Sequence, residues 1–244
     1  MTELTLVGRH QNALIALAVH AFTASGIVLA MLAAFAAYNL DWPAFFMWLG
    51  LALVVDGIDG PIARKVSVES RLPTFSGAAL DFVVDYVTYA FLPALAVATA
   101  GFTSIPIALA LAGIIVFTSA MYYGDTRMKM NNNAFRGFPV VWNGVVFLYF
   151  VFDLNQFAVI GITVALSILT FAPIAFVHPV RVEKWRPLTL AVTVIWFLFA
   201  AAALAWELNP PLGVEIGLAL SSAYLTFVAA VQQIIEKFFG AGKA

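Results

Sequence analysis

The sequence predicts an all-α, polytopic membrane helix bundle of about eight transmembrane helices, with both termini in the cytoplasm. Three observations carry this expectation. The chain is 63% hydrophobic and only 10% charged, with a mean hydropathy of +0.98, which leaves too few polar side chains to coat a soluble domain. Apolar runs of about 20 residues, the length that crosses ~30 Å of hydrocarbon, recur along it. The basic residues gather in alternate connections, as a fixed membrane orientation requires.

In chain order the expected spans are 13–38, 43–63, 77–99, 104–124, 138–153, 157–178, 188–207 and 212–236. The first follows a polar stretch that lacks the separate apolar core of a secretory leader, so it reads as a retained helix. The fifth is the shortest. It is expected to open at Pro139, since a proline suits a first helical turn, where its missing N–H has no partner to lose. No repeat, low-complexity tract or long linker divides the chain, so residues 1–244 read as a single membrane-embedded domain.

All 12 lysines and arginines support one orientation. Arg9 precedes the first span, and Arg64, Lys65 and Arg71 lie between the second and third. Arg127, Lys129 and Arg136 lie between the fourth and fifth, Arg181, Lys184 and Arg186 between the sixth and seventh, and Lys237 and Lys243 after the eighth. The opposite connections carry Asp41, Asp153 and Glu207 and no base. The positive-inside rule then places both termini in the cytoplasm.

Two function classes fall away on composition. With no cysteine there is no disulfide, thiolate metal site or cysteine nucleophile. A net charge of −1 without a basic block argues against a general nucleic-acid binder.

Four carboxylates stand out against this apolar background. An unpaired charge in a membrane segment costs several kcal/mol, about 3 on insertion scales, so intramembrane acids are functional candidates by default. Asp56 and Asp59 are three apart, and Asp81 and Asp85 four apart. On helices each pair projects from one face, and two such pairs can converge on divalent cations. Both pairs fall near the cytoplasmic ends of their spans. Without a base at that depth the four would repel and take up protons, and bound cations are the simplest neutralisation.

Gly57 and Gly60 each cost a helix about 1 kcal/mol relative to alanine. With Gly77, one turn before Asp81, they suggest a narrow slot where a ligand approaches the backbone; close helix packing is the alternative explanation of small residues in membranes. Arg64 is either a forked donor for phosphate or a base that anchors the helix end. His20 reads as a packing residue within an apolar helix.

The pattern Asp56-x-x-Asp59-Gly60-x-x-Ala63-Arg64, then Gly77-x-x-x-Asp81-x-x-x-Asp85, resembles the signature of the CDP-alcohol phosphotransferases. These are integral membrane enzymes that move a phosphatidyl or similar group from a CDP-activated donor to an alcohol. The connection from Lys65 to Ser76 is longer than in the family's usual pattern. The resemblance implies that Asp56, Asp59 and Asp81 hold metal ions, Mn²⁺ or Mg²⁺ and two in number, that bridge the diphosphate. It implies that Asp85 also contacts metal and is the base that takes the acceptor hydroxyl proton. Gly57, Gly60, Ala63, Arg64 and Gly77 would form the CDP-donor site, the small ones letting the cytidine lie against the helices. A homodimer is also implied.

Beyond the signature, Val19-His20-Ala21-Phe22-Thr23-Ala24, Phe135-Arg136-Gly137-Phe138-Pro139-Val140-Val141-Trp142-Asn143 and His178-Pro179-Val180-Arg181-Val182 resemble the bacterial phosphatidylcholine synthase branch. That likeness implies CDP-diacylglycerol and choline as substrates, CMP as the leaving product, and residence in the bacterial inner membrane with the active site facing the cytoplasm. Choline cannot donate a hydrogen bond through its quaternary ammonium, so aromatic faces should hold it. Tyr86, Tyr89, Tyr122, Tyr123 and Trp142, with Asn143, are the acceptor-site candidates, although Trp and Tyr also collect at membrane interfaces for other reasons. Asp125 and the run Asn131-Asn132-Asn133 solvate a loop or, for Asp125, assist a cation. Serine or glycerol phosphate as acceptor, and a cation transporter using the acids, are the competing readings.

Overall fold

The computed structural model describes residues 3–128, 134–176 and 185–239. Expectations that concern Lys129, Asn131, Asn132, Asn133, His178, Arg181, Lys184 and Lys243 fall outside these residues. Six helices among the described residues are long and apolar enough to cross a membrane: Ala13–Tyr38, Trp42–Val66, Gly77–Thr99, Ile105–Gly124, Arg186–Ala205 and Leu212–Ile235. Two shorter apolar helices, Trp142–Val151 and Gln156–Leu169, lie between the fourth and fifth of these. The protein is an integral membrane helical bundle. It forms two compact units, residues 1–96 and 97–244.

In the first unit, helix α1 (Glu3–Tyr38) ends where Leu40 turns left-handed, with φ 58°. Asp41 then caps α2 (Trp42–Val66), its carboxylate accepting from the Ala44 N–H at 3.1 Å, and Pro43 occupies the first turn, where no N–H is needed. Ser67, with φ 54°, stops α2. The long connection that follows is compact. One helical turn, α3 (Val68–Arg71), buries Val68 against Ala16 and Val19 of α1. Ser76 then caps α4 (Gly77–Asp85) by accepting from the Ala79 N–H at 3.2 Å. Close approach of α1 and α4 depends on Gly26, where a Cβ would fall 2.8 Å from Val84 Cγ1.

Residues Tyr86–Phe91 form a π-helical turn before the helix resumes as α5 (Leu92–Thr99). Two features favour the wider turn. The Thr88 hydroxyl takes up the Val84 carbonyl at 2.9 Å, and Pro93 has no N–H to give the Tyr89 carbonyl and would crowd it in an α turn.

In the second unit, α6 (Ile105–Gly124) starts with Pro106 in its first turn. The fifth expected span differs from the sequence reading. Gly137 and Val140 are left-handed, at φ 74° and 60°, and helix α7 (Trp142–Val151) begins only after them, so Pro139 precedes the helix. The backbone is pinned there instead: Phe138 N–H donates to the Leu169 carbonyl at 3.0 Å and Gly137 N–H to the Ile174 carbonyl at 2.8 Å. The sixth expected span is also shorter. Helix α8 (Gln156–Leu169) stops before Pro173, which would have to supply an N–H to Leu169. Strands β1 (Phe135–Arg136) and β2 (Ala175–Phe176) pair antiparallel beyond these helix ends.

Tyr149 and Thr163 share a buried 3.0 Å hydrogen bond that joins α7 to α8. Helices α9 (Arg186–Ala205) and α10 (Leu212–Phe239) are joined by Trp196 Nε1–H to Ser222 Oγ at 2.8 Å and by the Thr189–Tyr224 hydroxyl pair at 3.1 Å.

Candidate active site

Asp56, on α2, and Asp81 and Asp85, on α4, converge: one carboxylate oxygen from each lies within 4.8 Å of the others. The three are half-buried. Asp85 Oδ1 is buried without a hydrogen-bond partner. Three oxygen donors gathered this tightly, one carrying an orphaned acceptor, have the charge and ligand type that hard divalent cations such as Mg²⁺ or Mn²⁺ take. The cluster therefore fits a divalent metal on chemistry and on geometry.

Tyr89 completes the cluster. Its hydroxyl donates to Asp56 Oδ2 at 2.7 Å. The π turn makes this reach possible. Positions i, i+4 and i+8 on a straight α-helix drift about 40° per step, whereas a π turn rotates less per residue and drifts the other way. Tyr89 is thereby returned to the side of the helix that carries Asp81 and Asp85. The family resemblance offers Tyr89 as an aromatic face for choline; the structure shows its hydroxyl in use. The proline at 93 was the available signal.

Asp59 does not join the trio. It is 5% exposed on α2, with the Thr23 hydroxyl of α1 beside it. The small residues of the signature meet different neighbours. Gly57 faces open space, and a Cβ there would touch nothing within 4 Å. Pro61, inside α2, gives no N–H to the Gly57 carbonyl. At Gly60 the room is used by Arg64, whose Nη1 would lie 3.2 Å from a Cβ. Arg64 itself is exposed, and Ala63 packs with the buried Ala16–Val19–Val68 cluster.

Gly77 accommodates the His20 ring, whose Cε1 would be 3.0 Å from a Cβ. Phe75 covers that ring at a centroid distance of 4.3 Å. His20 is 5% exposed and its Nε2 has no partner among the described residues.

Of the acceptor-site candidates, Tyr86 and Tyr89 share the π turn that follows Asp85. The others belong to the second unit. Tyr122 is buried and Tyr123 half-buried near the end of α6, with ring centroids 6.2 Å apart. Trp142 is fully buried against Phe138, at 5.0 Å. Asn143 turns its side chain onto its own helix, accepting from the Gly144 N–H at 2.8 Å.

Fold and site define the class: a polytopic helical membrane protein with a cation-ready carboxylate cluster in the pattern of the CDP-alcohol phosphotransferases. No protein-family model matches the chain. Curated relatives do. It is 47% identical to a phosphatidylcholine synthase of Brucella melitensis over 90% of this chain and 79% of that one. It is 46% identical to one of Mesorhizobium japonicum over 94% and 90%, and 47% identical to one of Rhizobium meliloti over 91% and 92%. The chain belongs to the phosphatidylcholine synthase family of phospholipid-synthesising transferases.

Proposed function

We propose that this protein makes phosphatidylcholine by transferring the phosphatidyl group of CDP-diacylglycerol to choline, with release of CMP. The observation that carries the reading is the convergence of Asp56, Asp81 and Asp85 in a member of this family. Asp56, Asp81 and Asp85 would hold divalent cations, Mn²⁺ or Mg²⁺, which would supply the positive charge that offsets the donor diphosphate and the departing CMP. The rest is the work of the chain. Asp85 takes the proton of the choline hydroxyl, whose oxygen forms the new bond to the phosphorus bearing the diacylglycerol. The bond from that phosphorus to the bridging oxygen breaks, and CMP leaves with it.

Asp56 is oriented for ligation by Tyr89. Asp59 would hold a second cation, and Gly57, with its open flank, would let the nucleotide lie against α2; Gly60, Ala63, Arg64 and Gly77 would complete the donor side. Tyr86, next to the base, offers an aromatic face to the choline ammonium, with Tyr123, Trp142 and Asn143 as the second unit's candidates. The one-sided bases support an inner-membrane protein whose site faces the cytoplasm, and membership of the family supports a homodimer.

The test is CMP release by purified protein from CDP-diacylglycerol with Mn²⁺ or Mg²⁺. Choline should support turnover far better than serine or glycerol phosphate, whose anionic groups an aromatic cage does not satisfy. Serine or glycerol phosphate outperforming choline would discard the phosphatidylcholine reading. Full activity in EDTA would remove the metal mechanism.

A further inference from the structure

The second unit contains a cavity of its own. It has a volume of ≈ 90 Å³ and lies at the end of α6, where Tyr122, Asp125 and Arg127 meet Arg136 of β1 and Phe171 beyond α8. A single water needs about 10–15 Å³ of such space, so there is room for a small polar group rather than one solvent molecule.

The walls are built, not incidental. The Arg136 N–H donates to the Met128 carbonyl at 2.9 Å, and β1 pairs with β2 through Arg136 and Ala175. Gly137, left-handed at φ 74°, presses so closely on the Thr170 carbonyl that no Cβ would fit. These contacts hold the Arg136 backbone at the cavity edge. Asp125 is occupied by Arg127: Nε donates to Oδ1 and Nη2 to Oδ2, each at 2.9 Å. Arg136 makes no ion pair among the described residues. Tyr122 is 5% exposed, and its hydroxyl has no hydrogen-bond partner among them.

Among the described residues, two guanidinium groups against one carboxylate leave the cavity one positive charge in excess. Its uncommitted polar groups are donors: the Arg136 fork, the outer Arg127 nitrogen and the Tyr122 hydroxyl. The Thr170 hydroxyl is spent on the Leu166 carbonyl at 3.0 Å. Such a set repels a quaternary ammonium and matches a tetrahedral oxyanion, which accepts from forked donors at several oxygens at once. Met128 and Phe171 add an apolar wall beside it.

We infer that this cavity of the second unit is a phosphate-binding site, for the phosphate of a phospholipid headgroup or of a small soluble ligand. Tyr122 and Arg136 hold the oxyanion, and Asp125 weakens the site by its charge. For Tyr122 this replaces the role of an acceptor-cage wall.

The experiment uses the full-length protein in detergent with EDTA, so that the aspartates carry no metal, and follows thermal stability against added probe. The probes are dihexanoyl phosphatidylglycerol, a short lipid with a phosphodiester and no choline, and inorganic phosphate. Arg136→Gln and Tyr122→Phe should each weaken saturable binding, Arg136→Gln by about tenfold or more, and Arg136→Lys should recover part of it. Asp125→Asn should tighten binding severalfold, a gain that damage to the fold would not produce.

That pattern with the lipid alone identifies a headgroup site; the same pattern with inorganic phosphate identifies a soluble phosphate ligand. Either outcome upholds the oxyanion site. No saturable binding of either probe, or binding that Asp125→Asn leaves unchanged or weaker, overturns it. Asp125→Asn decides the matter even if Arg136→Gln does not fold.

Discussion

Tyr89 holds the most discriminating side-chain contact at the site, because its hydroxyl and its ring imply different phenotypes. A hydrogen bond to a charged acceptor is worth about 1.5–3 kcal/mol, and loss of a partner that orients a metal ligand typically costs 10–100-fold in metal affinity or activity. Tyr89→Phe keeps the ring and removes the 2.7 Å bond to Asp56. It should raise the Mn²⁺ concentration needed for half-maximal turnover by about tenfold and leave the KM for choline unchanged. A raised choline KM with normal metal dependence would return Tyr89 to the acceptor cage.

Among the acids, Asp85→Asn should abolish turnover while retaining CDP-diacylglycerol binding, whereas Asp56→Asn and Asp81→Asn should weaken donor binding through the metal. Unchanged metal dependence in Asp59→Asn would reduce the site to one cation. The pairing of Asp125 with Arg127 makes a prediction about acid. The hydrogen bonds from Arg127 hold the Asp125 carboxyl down to about 2 from its ordinary 3.8. A depressed folded-state value means that the contribution is complete above about pH 4 and is lost as the pH falls towards 2. The stability difference between the native protein and Asp125→Asn should therefore be flat from neutral pH to about 5 and shrink below 4. A difference that shrinks near neutral pH would contradict the pairing.

At the scale of elements, much of the site was legible and its closure was not. Spacings of three and four put Asp56 with Asp59 and Asp81 with Asp85, and the third span was expected at 77–99, where the helical run Gly77–Thr99 is found. Spacing does not reveal how far α2 and α4 are rotated towards each other, and that rotation puts Asp56, rather than Asp59, opposite the α4 pair. Likewise Pro139 and Pro173 read as residues of helices but stand outside them, because the Gly137 turn and the β1–β2 pairing compete successfully for the backbone. The π turn has its signal in Pro93. Pro93→Ala restores an N–H for the Tyr89 carbonyl and removes the ring that crowds it, so an α turn should return and carry Tyr89 away from Asp56. The variant should reproduce the raised metal requirement of Tyr89→Phe, and the double variant should be no worse than either alone, since one interaction is lost in all three. Additive losses would separate the π turn from the Asp56 contact.

For the whole molecule, the one-sided bases define a parity rather than a number of crossings. An even number of spans keeps both termini together, and removing two adjacent spans leaves every basic connection on its side. Helices α7 and α8 are the pair in question. At 1.5 Å per residue their 10 and 14 residues reach about 15 and 21 Å, short of the ~30 Å hydrocarbon core. They are joined across the Tyr149–Thr163 bond into a hairpin whose tip is Asp153, left-handed at φ 44°. The absence of cysteine makes single-cysteine labelling unambiguous. Cysteine at Asp41 should react with an impermeant thiol reagent from outside intact cells, and tags at either terminus should be cytoplasmic. With eight crossings Asp153→Cys should react from outside as readily as Asp41→Cys, because the acid at the hairpin tip is stable only in water or headgroups. If Asp153→Cys is protected while Asp41→Cys is labelled, the hairpin enters and leaves on the cytoplasmic side, and the protein crosses the membrane six times with its termini still together.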